Sequence, residues 1–368
     1  MGGAGDIEHD PTLFLEVPPS HEVNDYHTTS AKPVRCEVDG VVTLAKRAFA
    51  IRALSVRAIV AAVAIAVTVA QAAHAQPTPP LQGTPAPPPA PQQASPMQEG
   101  IRRHERLTQR ALPGTVVPLT LHNEAKGELY LSRAARGKRA VDVLVHFHGA
   151  AWLAQQAGES LGRPLAVVTL TLGSGSGVYD RTFRQPGMMD SLMARTEGLI
   201  DSLAAKRVTP GRLFLSGFSA GHGAVRVILR DSVWMSRVTG VLLMDGMHTS
   251  YVPEGVPLAS GGALDTVNLL SLTAYARRAA SGDQRMVVTH SEIFPGTFAS
   301  TTETAAWMLQ SLGVPERPVL EWGPRGLQQI SEAKRGRLLV MGFAGNSAPD
   351  HVDHFHAMPE LLKALFRR

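Results

Sequence analysis

The chain is 368 residues long, carries 36 Lys and Arg against 31 Asp and Glu, and has a formal net charge of +5. That length holds one large domain or two modest ones. The single cysteine, Cys36, excludes an internal disulfide framework and a cysteine-built zinc site, and no Lys/Arg cluster interleaved with aromatics points to nucleic acid.

Charge is laid out in blocks. Residues 1–40 hold eight acidic and two basic side chains, whereas Val41 to Gln98 contains no acidic residue. Lys46, Arg47, Arg52 and Arg57 lead into "AIVAAVAIAVTVAQAAHAQ". A basic flank, about a dozen apolar residues and the small-residue site Ala73-His74-Ala75 describe a secretory signal over residues 41–75, cleaved before Gln76. A retained anchor needs ~20 apolar residues, and this run is shorter. Membrane contact is therefore expected only through an uncleaved signal, and the mature protein is expected to be secreted or periplasmic. Signals normally begin a chain, so residues 1–40 read as a disordered or mis-assigned extension, with Val41, Val42 or Leu44 as the true first residue. Cleavage removes Cys36, which suits an oxidising compartment. It also removes more acidic than basic residues, leaving a basic mature chain. Contact with anionic envelope polymers is one use for that surplus; solvated surface charge is the simpler account.

The Pro/Ala/Gln tract that fills residues 76–100 stays extended and builds no core, so it reads as a spacer. Residues 101–368 then alternate as one globular domain. Strands are expected at "TVVPLTL" (115–121), "GELYLSR" (127–133), "VDVLVHF" (141–147), "PLAVVTL" (164–170), "RLFLS" (212–216), "GVLLM" (240–244), "RMVVTH" (285–290) and "RLLVM" (337–341). The later runs are short and continuously apolar, as parallel strands covered on both faces require. In "MMDSLMARTEGLIDSLAAK", Leu192, Thr196, Leu199, Ile200 and Leu203 recur at helical spacing. Further helices are expected over 220–230, 266–281, 301–312 and 359–367. Such alternation predicts a doubly wound, mostly parallel eight-stranded α/β sheet with helices on both faces.

The stretch "RLFLSGFSAGHGAVRVIL" (212–229) seats Ser219 between Gly217 and Gly221 where a strand becomes a helix. A tight strand-to-helix turn lifts the hydroxyl above the sheet edge, and the glycines let strand and helix approach. Helix N-terminal N–H groups aimed at the same point favour developing negative charge. Acyl transfer needs two donors for the tetrahedral oxyanion. The N–H of Ala220 is one, and the small-residue loop Gly149-Ala150-Ala151 after "VLVHFH" offers the other.

With these residues in hand, the chain resembles the α/β-hydrolase superfamily from roughly Thr115 to Phe366, through GFSAG, the His148-Gly149 loop and the alternation of strands and helices. That resemblance implies a nucleophile after the fifth strand, an acid after the sixth or seventh and a histidine after the eighth. Ser219 follows the fifth expected strand. The glycine-rich loop of the superfamily is matched in part, as Ala150 and Ala151 replace glycines, and Ala150 is the first choice for the second donor. For the acid, Asp245 ends the sixth strand abruptly in "VLLMDGMH", while Glu292 follows the seventh. For the base, "APDHVDHFHAMPELLKALF" offers His351, His354 and His356, with His351 preferred and His354 next. Val352, Phe355, Met358 and Leu362 fall at three- and four-residue spacing, which suggests a buried stripe continuing into the final helix, with His351 at the end of the loop before it. Pro359 suits a first helical turn, which would instead leave all three histidines in a loop. His222 and His248 read as residues of the pocket rim or just behind the catalytic groups, and "TLGSGSGVYD" (171–180) as a flexible pocket rim.

The expected function is an exported serine hydrolase that cleaves a carboxylic ester, or an amide, with Ser219, His351 and Asp245 and no cofactor or metal. Its partner is a small-molecule or polymeric ester. Two rivals remain. His146 and His148 share a strand face and could join His351, His354 and His356 around zinc, although the H-x-D-H-x-H order reverses that of the metallo-β-lactamases. A hydrolase scaffold can also serve as a non-catalytic envelope-binding module.

Overall fold

The computed structural model describes residues 103–204 and 207–367. The extension, signal and spacer expected over residues 1–100 lie outside the described residues.

The strands are β1 (Thr115–Thr120), β2 (Lys126–Leu131), β3 (Ala140–Phe147), β4 (Leu165–Leu170), β5 (Thr209–Phe218) and β6 (Val238–Met244), then β7 (Tyr251–Val252) and β8 (Ala263–Leu264). They continue with β9 (Arg285–Ser291), β10 (Arg317–Trp322), β11 (Gln328–Arg335) and β12 (Leu338–Phe343). The helices are α1 (Ala151–Glu159), α2 (Ser176–Phe183), α3 (Met188–Ala204), α4 (His222–Ile228) and α5 (Ser232–Arg237). After them come α6 (Leu270–Ser281), α7 (Thr301–Leu312), α8 (Ala348–His356) and α9 (Met358–Phe366).

All eight expected strands form, with ends moved by a few residues. The main sheet has ten strands rather than eight, in the order β1-β2-β4-β3-β5-β6-β9-β12-β11-β10, while β7 and β8 pair as a separate ribbon. Six central strands, β4 to β12 in that order, run parallel, and an antiparallel hairpin closes each side. The sheet is thus of the α/β-hydrolase type. The two extra strands, β10 and β11, escape the apolar pattern because β10 is an edge strand with most of its side chains in water.

The central strands are apolar throughout because both faces are covered. Val143, Val145 and Phe147 of β3 enter one core, and Leu144 enters the other. Val241 and Leu243 of β6 likewise oppose Leu242 and Met244. This is the two-residue alternation of an extended chain. Helices α2 to α7 cover the first face, and α1, α8 and α9 the second. Every connection between parallel neighbours therefore returns to the same edge of the sheet, and the strand C-termini gather where ligands bind in such folds. Among the described residues no helix is long and apolar enough to cross a membrane.

Candidate active site

At the end of β5 the chain turns sharply. Ser219 has φ +47°, the left-handed region that a non-glycine residue enters only at a cost. It begins a one-turn 3-10 segment, Ser219–Gly221, that runs directly into α4. A Cβ on Gly221 would lie 2.1 Å from the Phe147 carbonyl oxygen of neighbouring β3, so only glycine lets the turn press against that strand. Phe218 is buried beneath the turn and stacks on Phe355 of α8 at 5.0 Å.

Strand β6 ends in a second left-handed residue, Asp245, at φ +41°. Its neighbour Gly246 lies flat against the Ser219 turn: a Cβ there would meet the Ser219 carbonyl oxygen at 2.7 Å and its nitrogen at 2.8 Å. The carboxylate is buried and fully engaged. Its Oδ1 accepts from the Ser291 N–H at 3.0 Å and from the Thr301 hydroxyl at 2.5 Å; its Oδ2 accepts from the Ser291 hydroxyl at 2.8 Å. Oδ2 also faces His351 Nδ1 at 2.6 Å. Burial alone opposes ionisation of Asp245. Attraction to His354 and His351 where those rings are protonated, with hydrogen bonds from His351 and Thr301, outweighs it and holds the carboxyl well below the usual carboxylate range.

Because a carboxylate only accepts, Nδ1 of His351 carries a proton, so in the neutral ring the lone pair is on Nε2. The ring packs on Phe218 at 4.6 Å, and about a quarter of the side chain meets solvent. His351 lies on α8, which opens with a Ser347 cap reciprocated by Asp350. Of the two readings of this stretch, the helical spacing from Val352 onward agrees with α8, whereas the loop holding all three histidines is corrected. A complete capping box starts a helix ahead of them, and Pro359 instead opens the next one.

The alternates lie elsewhere. His354, one turn beyond His351, is wholly buried, bonds Thr289 through Nδ1 at 2.8 Å, and is pushed by burial down to about 4. His356 accepts from the Leu107 N–H at 2.9 Å. Glu292 is exposed, with its carboxylate toward the Gly345 N–H at 3.4 Å. The five imidazoles of the zinc reading do not converge. His146 bonds Ser216 at 2.8 Å in the core, whereas His148, turned by φ +73°, bonds Tyr179 at 2.9 Å. That left-handed residue breaks the strand alternation that would have put both rings on one face. Among the described residues, the group of metal-ligating side chains close enough to share an ion is instead His104, Asp350 and Asp353. Arg106 is also bound to Asp353 there, through Nε at 3.0 Å, so one of the two carboxylates is already paired with a cation.

Beyond His148, Gly149 continues at φ +104°, and a Cβ on it would strike the Phe355 ring at 2.4 Å. The Thr171 hydroxyl ties down the Gly149 carbonyl at 2.6 Å. Ala150 follows as the N-cap of α1 and is exposed, while Ala220 is buried beside Ser219.

Ser219 opens on a cavity of about 530 Å³ whose lining includes Ser176, His222, Arg226, His248, Glu254 and Phe298. Ser174, Gly175 and Ser176 bring the expected rim segment to it, although its second half forms α2. His222 and His248 line the cavity rather than stand behind it. Each donates through Nδ1 to a carbonyl, that of Ser219 at 2.9 Å and that of Ala299 at 3.0 Å. Burial holds both rings neutral, with His222 pushed down to about 3. Sequence reasoning missed Ser291 and Thr301 as the groups that hold Asp245. Ser300 caps α7, and the Thr301 hydroxyl beside it turns to Asp245.

No family model and no curated protein matches the sequence. Solved structures do align with it. Est1E from Butyrivibrio proteoclasticus is 8% identical, with 68% of this chain and 99% of that one covered and a TM-score of 0.35. The Pyrococcus furiosus esterase Pf2001 is 10% identical, with 68% and 92% covered and a TM-score of 0.36. The Pyrococcus horikoshii acylaminoacyl peptidase is 13% identical at a TM-score of 0.39; 68% of this chain aligns, over 40% of the peptidase.

Proposed function

We propose that the protein is a serine hydrolase that cleaves a carboxylic ester through an acyl-enzyme, with Ser219 as nucleophile, His351 as general base and Asp245 as the acid that orients it. The observation that carries this reading is the His351–Asp245 hydrogen bond of 2.6 Å, made at a carboxylate whose neighbour Gly246 touches the Ser219 backbone. With its Nδ1 proton committed to Asp245, His351 has Nε2 free to take the Ser219 proton as the hydroxyl oxygen attacks the acyl carbon. The tetrahedral oxyanion takes hydrogen bonds from the N–H of Ala220 and, on this reading, that of Ala150. Its collapse expels the alcohol, which leaves with the proton from His351. Water then repeats the attack on the acyl-enzyme and releases the acid. An ester is preferred to an amide because its alkoxide leaves more easily.

Covalent labelling with a fluorophosphonate tests the assignment. Labelling is expected for the wild type with or without chelator, and to vanish in Ser219→Ala. Labelling of Ser219→Ala, or activity lost to chelator and restored by zinc, would overturn it. We propose too that the enzyme acts outside the cytoplasm after cleavage before Gln76; N-terminal sequencing of the exported protein tests that reading, and an intact residue 1–75 segment defeats it.

A further inference from the structure

The nucleophile's cavity is polar, and its one deep cation stands on the same helical face as the serine. Ser219, His222 and Arg226 follow at i, i+3 and i+7 and all line the cavity. Seven residues of helix put Arg226 about 10 Å along the axis from the serine. Its side chain is 11% exposed, too deep for a guanidinium to sit without partners. The partner is Asp180 of α2: Nε and Nη2 both reach Oδ2, at 3.1 and 3.0 Å. This uses one side of the planar fork and leaves the end-on edge, Nη1 with the outer N–H of Nη2. That edge has the geometry that grips a carboxylate with two parallel hydrogen bonds. Asp180 cannot neutralise the region, because its other oxygen accepts from Arg184, so two cations share one carboxylate. The acidic lining residue, Glu254, is exposed, and the two lining imidazoles are neutral. Apolar lining is restricted to Ala220 and Phe298, which gives a long alkyl chain little to lie against.

We propose that Arg226 is the specificity determinant of this site and that the substrate is an ester whose acyl part carries a carboxylate several bonds from the scissile carbonyl. The acyl carbonyl lies at Ser219, and the anion docks end-on at Arg226. Asp180 is the positioning residue that fixes the guanidinium plane.

This inference rests on the serine-hydrolase reading, so its test has one arm that needs turnover and one that does not. In the first, 4-nitrophenyl half-esters of succinic, adipic and suberic acids are compared with their neutral methyl esters. The wild type is expected to favour the anion at least about tenfold in kcat/KM, mainly through KM, with the longer diacids ahead of succinate. Arg226→Gln is expected to bring that ratio close to one, and Arg226→Lys to keep part of it. The double variant Asp180→Asn/Arg226→Gln, free of a buried carboxylate left with Arg184 alone, should give the same low ratio. Arg184→Gln removes a cation equally close to Asp180 but outside the cavity, and should leave the ratio within about twofold. A wild-type ratio of one or below overturns the proposal. So does an equal collapse in Arg184→Gln, which would mean diffuse charge rather than a docking point. In the second arm, calorimetry on Ser219→Ala should find monomethyl adipate bound at least about tenfold more tightly than dimethyl adipate; equal binding overturns the proposal whatever the enzyme turns over. Failure of the serine-hydrolase reading has its own signature: Ser219 resists the fluorophosphonate while the binding preference persists.

Discussion

The two edges of the parallel sheet are built from the same six strands and differ in what their ends are asked to do. At the C-terminal edge, three adjacent strands finish in residues of positive φ that are not glycine: His148 after β3, Ser219 after β5 and Asp245 after β6. At the N-terminal edge no strand opens on such a residue among those described. Arginines crowd that edge, and part of their charge is paired. Asp142 near the start of β3 accepts the Arg212 N–H at 2.8 Å and holds the Arg212 and Arg163 guanidinium groups at 2.9 and 3.2 Å. Both edges are polar, yet only one is strained. Backbone strain persists where the surroundings over-determine it, and it is the edge with the unusual torsions that gathers a serine, an imidazole and a carboxylate. Polarity alone would not have told the two edges apart.

The difference can be broken most severely at Ser219. Ser219→Ala and His351→Ala are each expected to lower kcat by roughly 10⁴-fold or more with little change in melting temperature, measured with a 4-nitrophenyl ester. Retention of more than a tenth of the activity by either would remove the residue from its role. Asp245→Asn is next, at about 10²–10⁴-fold, because Asn can present its NH₂ to His351 and hold the wrong tautomer. Gly246→Ala touches no reacting atom but drives a methyl into the Ser219 backbone. It is expected to cost about 1–3 kcal/mol of stability and to reduce kcat roughly ten- to a hundredfold by displacing the serine; an unchanged kcat would mean that the contact positions nothing.

A smaller effect concerns pH. His354 is kept neutral by burial, at about 4 in the fold against an ordinary 6.5. A depressed folded value means that the unfolded chain binds the proton first. The stability tied to His354 is therefore whole above pH 6.5 and drains as pH falls toward 4, by at most ~1.4 kcal/mol per pH unit. Asp245, also depressed, adds to the loss below the ordinary carboxylate range. Replacing His354 by Gln should flatten the fall in melting temperature between pH 6.5 and 4. An unaltered slope would show that the ring is not held neutral.

Most of the C-terminal edge was legible in the sequence because its signals are local. An apolar run, then Gly217-Phe218-Ser219-Ala220-Gly221, then a helical stretch names a turn, and Asp245 stands out by ending an apolar strand abruptly. Other features were hidden for identifiable reasons. Strands β10 and β11 have solvent on much of their surface, so no apolar run marks them. The start of helix α8 was misplaced because Val352 and Phe355 marked only its second half and Pro359 drew attention as a helix start, while the stronger signal, Ser347 with Asp350 three residues on, lay just ahead of His351. The apparent metal pair His146 and His148 came from a strand period that one left-handed residue interrupts. The cavity was out of reach for a different reason. Its walls come from the loops after β4, β6 and β9 and from the face of α4, and only the Ser219, His222, Arg226 spacing was visible in one segment.

The gentlest way to sharpen the contrast is at the opposite edge. Asp142 resembles Asp245 in being a largely buried carboxylate near a strand end that holds basic groups, so it is a fair control for the claim that position, not polarity, confers function. Its surroundings are ordinary: a Cβ on Gly211 would lie 2.5 Å from Asp142 Oδ1, so β3 and β5 already meet at that point through the glycine. Both arginines are about one-third exposed, and water therefore screens the pairs. Asp142→Asn keeps an acceptor for the Arg212 N–H and loses only the charge, which should cost about 1 kcal/mol, or a fall in melting temperature of a few degrees for a domain of this size. The activity of the folded variant on any ester should equal that of the wild type. A specific loss of kcat in Asp142→Asn would mean that charge at the N-terminal edge reaches the site through the strands, and that the two edges are not the separate regions their backbone torsions describe.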